Sequence, residues 1–160
     1  MSASDKQHHY AVNVTWTGNQ GTGTSAYRAY SRDHLINAGD KPAIAGSSDP
    51  SFRGDPARWN PEELLLASLS ACHKLWYLGL CAGAGIVVTD YQDAAEGWMV
   101  EHPGGEGQFT RVLLRPTVTL AKEADVEKAR DMHHTAHEKC FIARSVNFPV
   151  EVEPVFVMAP

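Results

Sequence analysis

Clustered positive charge is missing from this 160-residue sequence: its 14 Lys and Arg residues are scattered against 19 Asp and Glu, for a formal net charge of -5. With no basic block and no interleaved aromatics, neither nucleic acid nor an anionic membrane surface is the expected partner. An apolar N-terminal segment is missing too. Met1-Ser2-Ala3-Ser4-Asp5-Lys6-Gln7-His8-His9 does not carry the apolar region of a secretory signal, so the cytoplasm is the expected location and residues 1–9 read as a disordered tail. Cysteine is scarce, with 3 in the chain, and without an export signal this predicts reduced thiols rather than a disulfide framework. There is no Cys-x-x-Cys pair, no His-Glu-x-x-His order, no internal repeat and no low-complexity stretch.

What is present has one rhythm of composition, which fits a single domain over residues 1–160 with enough chain to bury a core. The longest apolar run, residues 64–88, is long enough to raise a membrane span. His73 and Lys74 near its middle and Gly83 and Gly85 at its end favour a buried core helix instead.

Tyr10 to Trp16 alternates apolar and polar residues, and the glycine-rich segment 17–23 predicts a turn into a second strand ending near Arg32. Residues 36–59, with the Ser47-Ser48-Asp49-Pro50 cluster, read as a long ordered loop. Asn60-Pro61-Glu62-Glu63 is a helix start: a capping Asn, Pro where a missing N–H costs nothing, and two carboxylates in the electropositive first turn. That helix runs to about Ala82 and is apolar nearly all round, so it is expected to be covered on most sides. Ile86 to Glu101 and Gln108 to Leu120 read as a hairpin, irregular at Gly97. Glu123 to Cys140 is a second helix, with Val126, Ala129, Met132 or His133, Ala136 and Cys140 on one stripe. A strand from Val146 to Met158 closes the order β-β-α-β-β-α-β, an α+β fold.

Helical spacing puts Leu65, Ser68, Leu69, Cys72, Leu75 and Trp76 on one face, which places Cys72 in an apolar setting. A buried free cysteine is also an ordinary small hydrophobe; a reactive one needs a nearby cation. Glu62 stands ten residues before Cys72, about 15 Å along a continuous helix, so it reaches that thiol only from another copy of the chain. Its plainer role is to stabilise the helix dipole. Cys81 lies about 13.5 Å from Cys72 by the same arithmetic, too far for a disulfide. His133, His137 and Cys140 share a helix face and His73 adjoins Cys72, so a protein that binds a metal or an apolar ligand through Cys72, His73, His133, His137 and Cys140 is the alternative class.

Asn60-Pro61-Glu62-Glu63-Leu64, then Ser70-Ala71-Cys72, then Cys140 closing a later helix before a terminal strand, together resemble the OsmC/Ohr family of thiol-dependent hydroperoxide reductases. The resemblance covers roughly residues 10 to 158. It implies antiparallel sheets wrapped around two central helices in an intertwined homodimer, with the active site at the subunit interface. It further implies Cys72 as the peroxidatic cysteine, Cys140 as the resolving cysteine, and Glu62 as the carboxylate that orients an arginine over the thiolate. Arg53 is the arginine chosen, with Arg58 and Arg32 as alternatives. The implied activity reduces alkyl or lipid hydroperoxides bound against Leu65, Leu69 and Trp76, with no cofactor but with an external dithiol or lipoyl-type reductant. Phe141-Ile142-Ala143 after Cys140 and His73 after Cys72 depart from the family pattern and mark a divergent subgroup.

Overall fold

The computed structural model describes residues 3–160, and the chain divides into two compact units, residues 1–64 and 65–160. Of the expected tail, Met1 and Ser2 lie outside the described residues; residues 3–9 are exposed and form neither helix nor strand.

In the first unit, β1 (Asn13–Trp16), β2 (His34–Asn37) and β3 (Ile44–Gly46) make an antiparallel sheet in that order. The partner of β1 therefore begins after Arg32, where the sequence predicted it to end, because segment 17–32 is a wide loop and not a tight turn. Asn19 Oδ1 accepts from the backbone N–H groups of Gly21 and Gly23 at 2.9 and 3.0 Å, and both glycines have positive φ. The Arg32 guanidinium lies over Tyr27 and Tyr30 and donates to both of their carbonyls. The loop expected over residues 36–59 contains the end of β2, all of β3 and a 3-10 turn at Pro50–Phe52. Backbone bonds from Ser47 to Trp59 (2.9 Å) and from Trp59 to Ala45 (3.1 Å) tie its two ends together.

Helix α1 (Pro61–Gly83) begins where the sequence placed it, with Asn60 Oδ1 accepting from the N–H of Glu63 at 2.8 Å. Gly85, at φ +73, supplies the left-handed residue that ends it, and Ile86 N–H and Gly85 N–H return to the carbonyls of Cys81 and Ala82.

The second unit confirms the predicted hairpin but bends it. β4 (Val88–Asp93) pairs antiparallel with β7 (Pro116–Leu120), and β5 (Glu96–Glu101) with β6 (Gly107–Leu114). The break falls at residues 94 and 95 opposite Arg115, next to Pro116, which has no N–H to give to a continuous ladder. The irregularity expected at Gly97 lies one residue on, between Trp98 and Met99. The terminal strand is cut at the same level into β8 (Val150–Val152), parallel to β6, and β9 (Val155–Met158), parallel to β7. Two three-stranded sheets result, β4-β7-β9 and β5-β6-β8. The α+β class and both helices stand as expected, with a third strand before α1 and each later strand divided in two.

Two apolar clusters form the core of this unit. Tyr77, Cys81, Ile86, Val118, Leu120, Ala129 and Ala136 make one; Leu69, Val112, Leu114 and Val150 make the other. The face of α1 that is buried differs from the expected one. It is the stripe Leu69, His73, Tyr77, Cys81, which leaves Cys72 half-buried on its flank and Leu75 66% exposed. The helix is therefore not covered on most sides by its own chain: Ala67, Ala71, Leu75 and Gly79 remain open. Apolar spacing located the helix but could not choose among its apolar faces.

Candidate active site

Helix α2 (Val126–Lys139) carries the second half of the site. Asp125 caps it by accepting from Lys128 N–H at 3.1 Å, and Cys140 is the residue on which it ends. Its buried face is Ala129, His133, Ala136 and Cys140, so His133, and not Met132, takes the inward position.

Cys140 is 1% exposed, and its sulfur accepts from the backbone N–H of Ala143 at 3.4 Å. Burial pushes its thiol up to about 11, and the neighbouring Cys72 thiol pushes in the same direction. The two sulfurs are thus neighbours, both as free thiols. The third thiol, Cys81, is buried beside Tyr77 in the core cluster, and burial raises its pKa.

Aromatic side chains adjoin this pair. Trp76, one turn past Cys72, meets Phe141 edge to face with 5.5 Å between ring centroids, and Lys139 Nζ lies 5.7 Å from the Trp76 ring. Leu65 is half-buried at the edge of the second cluster. Leu69 has no exposed surface and packs with Val112, Leu114 and Val150.

The arginines belong to the first unit. Arg58 is engaged by Asp33 (3.4 Å), Asp55 (3.9 Å) and the His34 carbonyl, and Arg32 by the two tyrosines. Arg53 follows the 3-10 turn at φ +65, exposed, and among the described residues its guanidinium has no ion pair or hydrogen bond. Glu62 occupies the first turn of α1, half-buried.

Two of the histidines are buried. His73 is 1% and His133 4% exposed, and His73 Nε2 lies 2.9 Å from His133 Nδ1. Among the described residues no three His, Cys, Asp or Glu side chains converge in a way that could hold a metal ion.

A model of OsmC-like proteins matches residues 54–155, a span that holds Glu62, Cys72 and Cys140 and begins one residue after Arg53. The chain belongs to the OsmC-like family. A solved OsmC-like protein of unknown function from Vibrio cholerae, VCA0330, is 32% identical, with a TM-score of 0.83 over 93% of this chain and 100% of that one. The uncharacterized protein YmaD of Bacillus subtilis is 26% identical over 91% of each chain. The organic hydroperoxide resistance protein OhrB of Bacillus subtilis, at 19% identity, shares the fold with a TM-score of 0.62 over 94% of this chain and 98% of that one. In this OsmC-like chain the sequence had singled out both cysteines; His73 and His133 had been considered only as ligands of a metal or an apolar molecule, and Phe141 had been given no role. Signals for both were present: His73 interrupts an apolar helix, and Phe141 directly follows a site cysteine.

Proposed function

We propose that this OsmC-like protein is a thiol peroxidase that reduces organic hydroperoxides, alkyl or lipid, to alcohols. The observation that carries this reading is the Trp76–Phe141 contact at 5.5 Å, which brings the helix of the free thiol Cys72 against the segment that begins at the free thiol Cys140. The Cys72 thiolate attacks the distal oxygen of the hydroperoxide, the O–O bond breaks, and the alkoxide leaves and takes a proton as the alcohol, leaving a sulfenic acid on Cys72. Cys140 then attacks that sulfur; its thiol proton goes with the departing hydroxide as water, and a Cys72–Cys140 disulfide forms. An external dithiol, of lipoyl or similar type, returns both thiols by exchange. The apolar surroundings, half-buried Leu65 and Trp76 and exposed Phe141, favour carbon-bearing hydroperoxides over hydrogen peroxide.

Arg53 is the cation assigned to the thiolate and Glu62 its orienting carboxylate. Arg53 is favoured over Arg58 and Arg32 because their guanidinium groups are already engaged. The working unit is a homodimer with the site at its interface, which would cover the open apolar stripe of α1. A cytoplasmic location accords with the need for a reducing dithiol.

Stopped-flow mixing of the reduced protein with cumene hydroperoxide, followed by disulfide mapping, tests the reading. Cys72→Ser should abolish peroxide consumption, whereas Cys140→Ser should consume one equivalent and accumulate oxidised Cys72. Undiminished turnover by Cys72→Ser would refute the mechanism.

A further inference from the structure

We propose that His73 and His133 are a positioning pair that sets the approach of the two site sulfurs, an inference that rests on the dithiol chemistry proposed above. His73 is the residue after Cys72 on α1. His133 lies on the same face of α2 as Cys140, seven residues before it. The bond of 2.9 Å between their rings therefore joins the two helices that carry the thiols, one residue from the first sulfur and two turns from the second.

Apolar packing between helices tolerates small slides and rotations, because dispersion contacts lack direction. A buried hydrogen bond does not. It needs a separation near 2.9 Å and near-linear geometry, and a slip would strand two polar nitrogens away from water. The His73–His133 contact is surrounded by further constraints. The His133 ring lies on Tyr77 with centroids 3.8 Å apart and 10° between planes, and Tyr77 Oη donates to the Ala129 carbonyl at 3.0 Å, one turn before His133. His133 Nε2 is buried without a partner. The rotation of α1 and the axial position of α2 are fixed together. A disulfide closes only when both sulfurs come within a narrow range of distance and dihedral angle, so small errors in either helix lower its effective molarity.

The test compares two variants that delete the bond, His73→Leu and His133→Phe, with two that keep a polar atom in nearly the same place, His73→Gln and His133→Asn. Two readouts are taken on each protein, with thermal unfolding used to select those that are folded. One is the equilibrium constant for Cys72–Cys140 disulfide formation in glutathione buffers, where oxidised glutathione gives up two electrons' worth of oxidation and leaves as two thiols. The other is single-turnover oxidation by cumene hydroperoxide, with the Cys72 sulfenic acid trapped by dimedone. The expected result is a loss of about tenfold or more in disulfide formation in the deleting variants, near-normal sulfenic acid formation, and recovery to within about threefold in the polar ones. Unchanged disulfide formation in a folded deleting variant overturns the proposal, as does an equal loss in the polar variants. Should either deleting variant fail to fold, the polar variant at that position and the remaining pair still decide: loss in Gln or Asn equal to that in a folded deletion refutes positioning, and recovery supports it. Failure of the peroxidase reading looks different, with glutathione closing the disulfide in the wild type while hydroperoxide leaves Cys72 reduced.

Discussion

Trp76 and Phe141 meet edge to face at 5.5 Å, one on the helix of Cys72 and the other immediately after Cys140. Phe141 nevertheless keeps 66% of its surface exposed. An apolar side chain that bridges both cysteine-bearing segments and still faces outward is well placed to meet the carbon skeleton of a substrate. Phe141→Ala should raise KM for cumene hydroperoxide by roughly three- to tenfold, the worth of one aromatic contact, and leave hydrogen peroxide turnover nearly unchanged. Steady-state kinetics with both peroxides separates the two effects. An equal change for both would assign Phe141 a purely structural role.

The raised pKa of Cys140, about 11, makes it a reluctant nucleophile toward alkylating agents. At pH 8 its carboxamidomethylation in the native, reduced protein should be slower than that of an unhindered cysteine by a factor on the order of 100. Cys81, buried in the core with its pKa raised, should label only on unfolding. Peptide mapping after timed iodoacetamide exposure reads all three thiols at once; rapid labelling of Cys140 would contradict its burial.

His73 and His133 are held neutral. Burial, and then the charge of His137, lowers His73 to about 4, and burial, followed by His73 and Arg130, lowers His133 to about 3. In the unfolded chain both return to about 6.5, so below that pH the unfolded state takes up protons that the folded state refuses. The stabilising contribution is complete above pH 6.5 and is lost progressively as pH falls toward 4 and then 3. Urea denaturation at pH 7.5 and 4.5 should show the loss in the wild type and a smaller one in His133→Phe. Equal losses in both proteins would place the acid sensitivity elsewhere.

Arg53 holds φ +65, a conformation in which glycine is at ease and a residue with a Cβ is not. Arg53→Gly should therefore raise stability by up to about 1 kcal/mol while slowing hydroperoxide reduction. Arg53→Lys, which keeps a charge but loses the planar fork, should recover only part of the rate. Stability from urea midpoints and rate from single-turnover oxidation report the two effects independently. A fully active Arg53→Gly would transfer the role to Arg58 or Arg32.

Local rules carried the reading of this chain as far as its helix ends. The Asn60 cap, the glycines after residue 82 and the stop at Cys140 depend on neighbours within a few positions, so composition and spacing suffice to find them. Residue order also singled out Cys72 and Cys140. Which face of α1 is buried, by contrast, depends on what packs against it, and the choice of Leu69, His73, Tyr77 and Cys81 over the face containing Leu75 follows from contacts with residues up to β7 and α2. The same holds for the breaks that divide the long strands at Arg115, and for the pairing of His73 with His133. Apolar periodicity says that a helix has an inside; only the surfaces that meet it decide which residues that inside contains, because burial and hydrogen bonding between distant segments have no signature in local sequence.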